Sequence, residues 1–341
     1  MQQPIFMIGT QRSGSNLLRL MLNQLSEIAS PHPPHILERL SPLLEYYGDL
    51  YLNRNFNLLA EDVCRLVELN PVAWEGVRLD VDDILSRCRE NSLVALHGAV
   101  YDVCAESWAA QTWCCKSLAN INYVEEIERY FDDPRYIFLY RDGRDVALSF
   151  QRAVVGEKHI YHIAKGWAKT QERALTLLDQ IGNDRLIMVS YEELTTKSEA
   201  TMRRLCEFLN VEYSSSMLEF HASDEARRAA VSSTLWNQVT QPVMRNNTKK
   251  FLRESSESEI RIFESIAGHV LDRLGYERVH VAQGEELTFS EQEIIQFSYE
   301  NERIKKLLRE QVNEDDRSRR ERQESLLLQI KARTGETISI A

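Results

Sequence analysis

The segment of residues 4–25 constrains the fold of this chain more than any other. An apolar run from Pro4 to Ile8 is followed by a polar loop, and apolar residues then recur at helical spacing from Leu17 onward. The loop, Gly9-Thr-Gln-Arg-Ser-Gly14, has two glycines at the spacing of a phosphate-binding turn. In such a strand, loop and helix unit, backbone N–H groups and the helix dipole favour an anion. The sequence therefore predicts a phosphate site at the start of the first helix.

This loop lacks the lysine of nucleoside triphosphatases. In those proteins Gly-Lys-Ser/Thr places the lysine on the β- and γ-phosphates and a hydroxyl on Mg²⁺. Here Ser15 and Asn16 follow Gly14, and the cation of the loop is Arg12. A guanidinium can stabilise the charge of a departing phosphate oxygen without a metal ion. We therefore expect a phosphate ligand and no metal requirement.

Further apolar runs predict the fold class. Residues 135–140 and 185–189 are typical of buried strands, each is followed by helical sequence, and residues 112–116 could form a fourth strand. Strands separated by long helical patterns imply crossover connections. We predict an α/β fold with a central parallel β-sheet that is flanked by helices on both faces. Residues 36–91 are mainly helical in pattern and are expected to form an insertion beside the sheet.

The character of the chain changes after about residue 285. We predict one domain over residues 1–285 and a charged helical extension over residues 286–341, in which Ile294, Phe297 and Ile304 stand among mixed charges. The extension either packs on its own domain or forms a homo-oligomer through a coil. Both alternatives are open, because the apolar repeat is broken between residues 313 and 322.

Composition limits the partners and the compartment. A formal net charge of −11 argues against general nucleic-acid binding. No run reaches the ~20 apolar residues of a membrane helix, and the first apolar run is too short for a signal peptide. The six cysteines form no CxxC pair or zinc pattern and are interpreted as reduced thiols. We expect a soluble, cytoplasmic protein without a transmembrane segment.

Residues 136–149 contain a second phosphate-binding element. The sequence Tyr136-Ile-Phe-Leu-Tyr-Arg-Asp-Gly-Arg-Asp-Val-Ala-Leu-Ser149 passes from a buried strand through a charged turn into a helix. Arg141 stands at the strand end, and a guanidinium and a hydroxyl at these positions can face one phosphate. Asp142 and Asp145 are interpreted as structural carboxylates in the first turn of the helix.

Together the two elements resemble the sulfotransferases that use 3′-phosphoadenosine 5′-phosphosulfate (PAPS). Residues 11–18 resemble the 5′-phosphosulfate loop of that family, and residues 139–149 resemble its 3′-phosphate element. The resemblance covers roughly residues 1–280 and implies a fold related to the P-loop nucleotide kinases. It also implies in-line transfer of a sulfuryl group to a hydroxyl or amine, with release of adenosine 3′,5′-bisphosphate (PAP).

The resemblance assigns donor-binding roles by position in these motifs. The residues that it places on the 5′-phosphosulfate are Arg12, Ser13, Gly14, Ser15 and Asn16. The residues that it places on the 3′-phosphate are Arg141 and Ser149, and Tyr191 is the candidate for the adenine. Ser233, Lys249 and Lys250 stand where the family has its last 3′-phosphate contacts, although the usual glycine- and lysine-rich signature is absent.

The catalytic base does not follow directly from the resemblance. Cytosolic members use the His of a Lys-Thr-His segment, but the matching residues 115–119 retain only Lys116, which is expected to polarise the sulfuryl oxygens. Other members use a Glu shortly after the phosphate-loop helix, where this chain has His32 and His35. We predict His32 as the base and His35 as a substitute base or acceptor-binding group. Glu38 is a further candidate for the base, but one helical turn further on it is expected to face away.

Two other functions stay open from the sequence. A nucleotide-dependent phosphotransferase shares the loop scaffold, and a non-catalytic PAP-binding protein could have the same fold. The acceptor is equally open, and a small molecule, a carbohydrate or a lipid would fit the sequence.

Overall fold

The computed structural model describes residues 3–232, 238–310 and 314–333, and the side chains of residues 314–320 lie outside this description. Its sheet is parallel throughout, with the strand order β2-β3-β1-β4-β5. The strands are β1 (Ile5–Gly9), β2 (Ile28–Ala29), β3 (Thr112–Cys115), β4 (Arg135–Tyr140) and β5 (Leu186–Ser190). The predicted α/β class is confirmed. The edge strand β2 was not predicted, since two residues are too few to form an apolar run.

Helices join and cover the strands. The α-helices are α1 (Ser15–Leu22), α2 (Ile36–Leu40), α3 (Asn53–Glu68), α4 (Val81–Arg87), α5 (Leu93–Ser107), α6 (Val124–Tyr130), α7 (Gly143–Arg152), α8 (Ile160–Ile181), α9 (Tyr191–Thr196), α10 (Ser198–Leu209), α11 (Asp224–Ser232), α12 (Phe251–Glu254), α13 (Glu257–Arg273), α14 (Glu291–Glu310) and α15 (Glu314–Ala332). Three 3₁₀ segments, Ser41–Tyr47, Leu118–Asn122 and Ser215–Ala222, lie between them.

Both faces of the sheet are buried. Phe6 and Phe138 pack into a core with α3, α5, α8 and α13, whereas Met7 and Ile137 pack into a second core with α1 and α10. Successive side chains of a strand point to opposite faces, so a strand that is covered on both sides is apolar at every position. This is why the strands could be predicted from continuous apolar runs.

The C-terminal helices pack on the rest of their own chain. Helix α14 contacts α8, and α15 contacts α3 and the 3₁₀ segment Ser41–Tyr47. Leu326 and Ile330 of α15 are buried in the larger core. This packing is one of the two alternatives that the sequence left open, and self-association stays a prediction. Within the described ranges, no helix has both the length and the apolar character to cross a bilayer.

Candidate functional site

The loop after β1 is built for close approach of the backbone to a ligand. Gly9 and Gly14 have φ values of 138° and 89°, which only glycine adopts without strain. A Cβ atom at Gly9 would lie 2.2 Å from the carbonyl oxygen of Leu139, and one at Gly14 would lie 2.5 Å from the ring of Tyr191. Both glycines are therefore required by packing, and Gly14 leads directly into the N-terminus of α1.

The two predicted phosphate elements meet in space. Arg12 donates through Nε to Ser149 Oγ at 2.9 Å, and Arg141 donates to the carbonyl oxygen of Arg12 at 3.1 Å. Arg141 also stacks over the ring of Tyr191 at 4.3 Å, while its Nε has no hydrogen-bond partner among the described residues. Burial, and then the charge of Arg141, lower the pKa of Arg12. The cluster thus concentrates positive charge with spare donors, as an anion site requires.

These residues line a cavity of about 360 Å³, which we call the donor cavity. The charged groups on its wall are Arg12, Arg141, Arg152, Lys250 and Asp145. Among the described residues of this wall, four cations and one carboxylate give a positive charge, in a protein whose net charge is −11. A local cationic cavity in an acidic protein favours a polyanionic small ligand over nucleic acid.

The remaining donor candidates occupy different positions around this cavity. Tyr191 lies on the wall, and its hydroxyl accepts a hydrogen bond from Asn247 Nδ2 at 2.8 Å. Lys249, whose φ is 55°, is exposed and does not line the cavity, whereas the next residue, Lys250, does. Ser233 lies outside the described residues. Asn247 was not singled out from the sequence, since only its position beside Tyr191 and Arg141 marks it.

Within the loop, the side chains of neighbouring residues take different directions. Ser13 is fully buried beneath the loop, off the cavity wall, and its Oγ has no hydrogen-bond partner among the described residues. Ser15 and Asn16, by contrast, lie on the wall at the start of α1. Any role of Ser13 toward a ligand therefore falls to its backbone N–H.

Asp142 and Asp145 have structural partners. Asp142 caps α7 by accepting from the backbone N–H of Arg144 at 3.0 Å, and it also pairs with the buried guanidinium of Arg144. Asp145 accepts from the backbone N–H of Phe251 at 3.0 Å and lies 3.8 Å from Arg141. These contacts agree with the structural interpretation of both carboxylates.

A second cavity, of about 400 Å³, lies on the other side of the loop. Arg12, Ser15 and Asn16 line both cavities, so the start of α1 is the partition between them. The second cavity also receives His32, His35, Glu38 and Lys116, which come from the segment after β2, from α2 and from the end of β3. We call it the acceptor cavity.

Lys116 links the two cavities. Its Nζ donates to Asn16 Oδ1 at 2.9 Å, and its side chain is buried at the edge of the acceptor cavity. Burial, and then the nearby charge of Arg19, lower the pKa of Lys116 to about 7. Its ammonium therefore gains or loses its charge near neutral pH.

His35 and Glu38 form a pair in the acceptor cavity. Nδ1 of His35 lies 3.2 Å from Glu38 Oε2 and 2.9 Å from Ser117 Oγ. Burial lowers the pKa of His35, and the Glu38 carboxylate partly opposes this change. The expectation that Glu38 faces away is wrong, because the short helix α2 begins at Ile36 and brings Glu38 back over His35.

His32 is held more deeply than His35. Its carbonyl oxygen accepts from Asn70 Nδ2 and Trp74 Nε1, both at 2.7 Å. Burial, together with the charges of Lys116 and Arg19, lowers the pKa of His32 well below its ordinary value. His32 therefore lines the acceptor cavity in a position that disfavours the charged form of its ring.

The described residues contain no group of three or more His, Cys, Asp or Glu side chains that could hold a metal ion. The expectation that no metal is required stays a prediction, which is tested below with a chelator.

Comparison with known proteins places this site in a family context. The profile of the sulfotransferase family matches residues 4–215. Two similar curated proteins are protein-tyrosine sulfotransferase A of Caenorhabditis elegans, 22% identical over 80% of this chain, and protein-tyrosine sulfotransferase of Drosophila melanogaster, 24% identical over 80% of this chain. This chain spans 67% of the length of the first relative and 51% of the second.

A solved structure supports the fold independently. The sulfotransferase domain from the curacin biosynthetic pathway superposes with a TM-score of 0.57 at 22% identity, over 82% of this chain and 99% of that domain. At this identity the likeness concerns the fold alone.

Proposed function

This chain belongs to the sulfotransferase family, and we propose that it transfers the sulfuryl group of PAPS to a hydroxyl or amine of a small polar acceptor, with release of PAP. The observation that carries the proposal is the shared wall of Arg12, Ser15 and Asn16 between the two cavities. A group that passes from a donor to an acceptor must cross such a partition. Of the three described residues that the two walls share, Arg12 is the cation, and it would lie beside the group in transfer.

The donor cavity matches the charges of PAPS. Arg141 and Ser149 stand at the far side of Arg12 and would hold the 3′-phosphate, while the backbone of residues 12–14 and the N-terminus of α1 would hold the 5′-phosphosulfate. Tyr191 and Asn247 would contact the nucleoside.

Two cations near the shared wall would act during transfer. Arg12 and Lys116 would stabilise charge on the bridging and sulfuryl oxygens.

We assign the base to the His35–Glu38 pair. An imidazole that donates from Nδ1 to a carboxylate presents an unprotonated Nε2, which can take a proton from the acceptor. His32 is the weaker choice, because it is only 4% exposed, against 24% for the side chain of His35, and burial disfavours the charged form that a base must reach. Glu38 would orient His35 and stabilise its protonated form.

The acceptor cavity favours a polar acceptor. Twelve of its sixteen lining residues are polar or charged, and the other four are Pro33, Pro71, Leu118 and Val155. Phe, Tyr and Trp are absent from the described residues on this wall, so neither a phenol ring nor a lipid tail would find a matching surface. The relatives are named for protein tyrosine, whose acceptor group is a phenolic hydroxyl, and they support a hydroxyl acceptor. The polar wall of this cavity is the reason for proposing a different carrier of that hydroxyl.

Calorimetry with PAP tests the donor site. We expect PAP to bind in the presence of EDTA, and Arg141→Ala to weaken binding about 10- to 100-fold, because it removes charge-assisted hydrogen bonds to a phosphate. Arg129→Ala, an exposed arginine of α6, is the matched control and should bind as the wild type does.

If the wild-type protein binds ATP with Mg²⁺ and not PAP, a phosphotransferase replaces this proposal. If PAP binds and no acceptor is ever sulfated, the chain is a non-catalytic PAP-binding protein.

The pH dependence of kcat/KM should report Lys116. The charged form exists below its pKa of about 7, so kcat/KM should fall as the pH rises through this value. Lys116→Arg keeps the charge at alkaline pH and should remove this limb of the profile. An alkaline limb that is unchanged in Lys116→Arg would show that another group causes it.

The location and assembly of the chain remain proposals. The six cysteines are free thiols, which supports a reducing compartment such as the cytoplasm. A homo-oligomer through the C-terminal helices would have to use the faces that α14 and α15 leave exposed.

A further inference from the structure

We propose that the C-terminal extension is part of the acceptor site, where α15 forms the outer wall of the acceptor cavity and Glu324 restricts the acceptor to a small polar molecule instead of a polypeptide. The family profile ends at residue 215, so the matched family region does not include this wall. The proposal rests on the proposed function and adds the feature that selects the acceptor.

Helix α15 is held firmly against the acceptor cavity. Gln323 is buried, and its Nε2 donates to the carbonyl oxygen of Leu66 at 2.8 Å. Leu326 and Ile330 enter the core on the same side of the helix. Near the end of the helix, Arg333 pairs with the buried carboxylate of Asp62. These contacts place Gln323 and Glu324 on the cavity wall.

Helix α14 supports the same wall through the loop of residues 153–159. The side chain of Asn301 is buried, and its Oδ1 accepts from the backbone N–H groups of Lys158 and His159 at 2.7 and 3.0 Å. The ring of Phe297 stacks on His159 with 4.4 Å between the centroids. Val155 of this loop lines the acceptor cavity. Both helices of the extension therefore shape the cavity.

The position of Glu324 makes it a selecting residue. Its side chain is solvent-exposed and also lines the cavity, so it lies at the mouth. A cavity of about 400 Å³ is within the size range of small-molecule sites. A polypeptide would have to continue past the acceptor hydroxyl on both sides, and a helix packed on the cavity wall leaves less room for such a chain than for a small molecule. The carboxylate at the mouth suits hydroxyl or amine donors of a polar acceptor.

Two tryptophan variants test this wall. Glu324→Trp places a large side chain at the mouth, whereas Ser325→Trp places it about 100° further round the same helix, on the exposed face opposite Gln323. Neither position is buried, so both variants should fold. PAP titration of each variant shows that the donor site is intact, and we expect the same affinity as in the wild type.

The first readout needs no acceptor. Diethyl pyrocarbonate acylates accessible histidines, and we expect it to reach the partly exposed His35 through the cavity. The exposed His269 is the internal reference in the same protein. Mass spectrometry should show that Glu324→Trp slows modification of His35 at least fivefold relative to His269, while Ser325→Trp leaves the ratio unchanged. An unchanged ratio in Glu324→Trp overturns the proposal.

The second readout is transfer from PAPS labelled with ³⁵S to glucose, glucosamine and a tyrosine-containing peptide. We expect the small polar compounds to be preferred and their kcat/KM to fall at least tenfold in Glu324→Trp but not in Ser325→Trp. A peptide that is sulfated as fast as the small compounds overturns the proposal. If the wild-type protein does not bind PAP, the proposed function itself is wrong.

Discussion

Replacing Arg12 with alanine is expected to lower kcat for sulfuryl transfer by about 10²- to 10³-fold, the usual effect of removing one preorganised group that stabilises transition-state charge. Arg12 is the cation on the wall between the cavities, and its Nε is fixed by Ser149 at 2.9 Å. Because charge develops on the bridging oxygen only as the bond to sulfur breaks, kcat should fall more than the affinity for PAPS.

Two controls separate the role of Arg12 in transfer from a role in binding. Arg12→Lys keeps a positive charge but loses the planar guanidinium with its several N–H donors, so it should recover only part of the rate. Arg152→Ala removes an exposed cation of the same cavity and should change the affinity for PAPS with little effect on kcat. An Arg12→Ala enzyme with a normal kcat and a raised KM would contradict the assigned role.

The second large effect is expected at the base. His35→Ala should lower kcat by about 10²- to 10⁴-fold, the range for loss of a general base, while PAP binding measured by calorimetry stays unchanged. His269→Ala, an exposed histidine that also contacts a glutamate, is the matched control and should leave the rate unchanged. If His32→Ala lowers kcat and His35→Ala does not, the prediction from the sequence that His32 is the base is correct.

Glu38→Gln gives this assignment a pH signature. The base must be neutral, so kcat/KM should fall as the pH drops through the pKa of His35, which burial places below its ordinary value. The Glu38 carboxylate raises that pKa, and its removal should move the acid limb to lower pH. A limb that stays in place would show that Glu38 does not act through His35.

The sequence was sufficient to predict those parts of the structure that a single local pattern determines. Glycines at residues 9 and 14 and continuous apolar strands are dictated by close backbone contacts and by burial on both faces, so β1, β4 and β5 could be predicted within a residue. Arg141 and Ser149 could be paired because a strand end and the helix that follows it lie together.

The sequence was insufficient to predict the position of side chains that long-range packing determines. The direction of Glu38 depends on where a five-residue helix begins, and no periodicity fixes that. Asn247 and Glu324 reach their cavities only because distant segments fold over the sheet. The choice between His32 and His35 depends on the relative exposure of two nearby rings, which their spacing in the sequence cannot reveal.

Sulfuryl transfer by this protein is tested most directly by following ³⁵S from labelled PAPS to a panel of sugars, amino sugars and amino alcohols, with excess EDTA present. We expect label to appear on an acceptor together with an equal amount of PAP, and the chelator to have no effect. Transfer of a phosphoryl group from ATP that depends on Mg²⁺, with no transfer from PAPS, would contradict it.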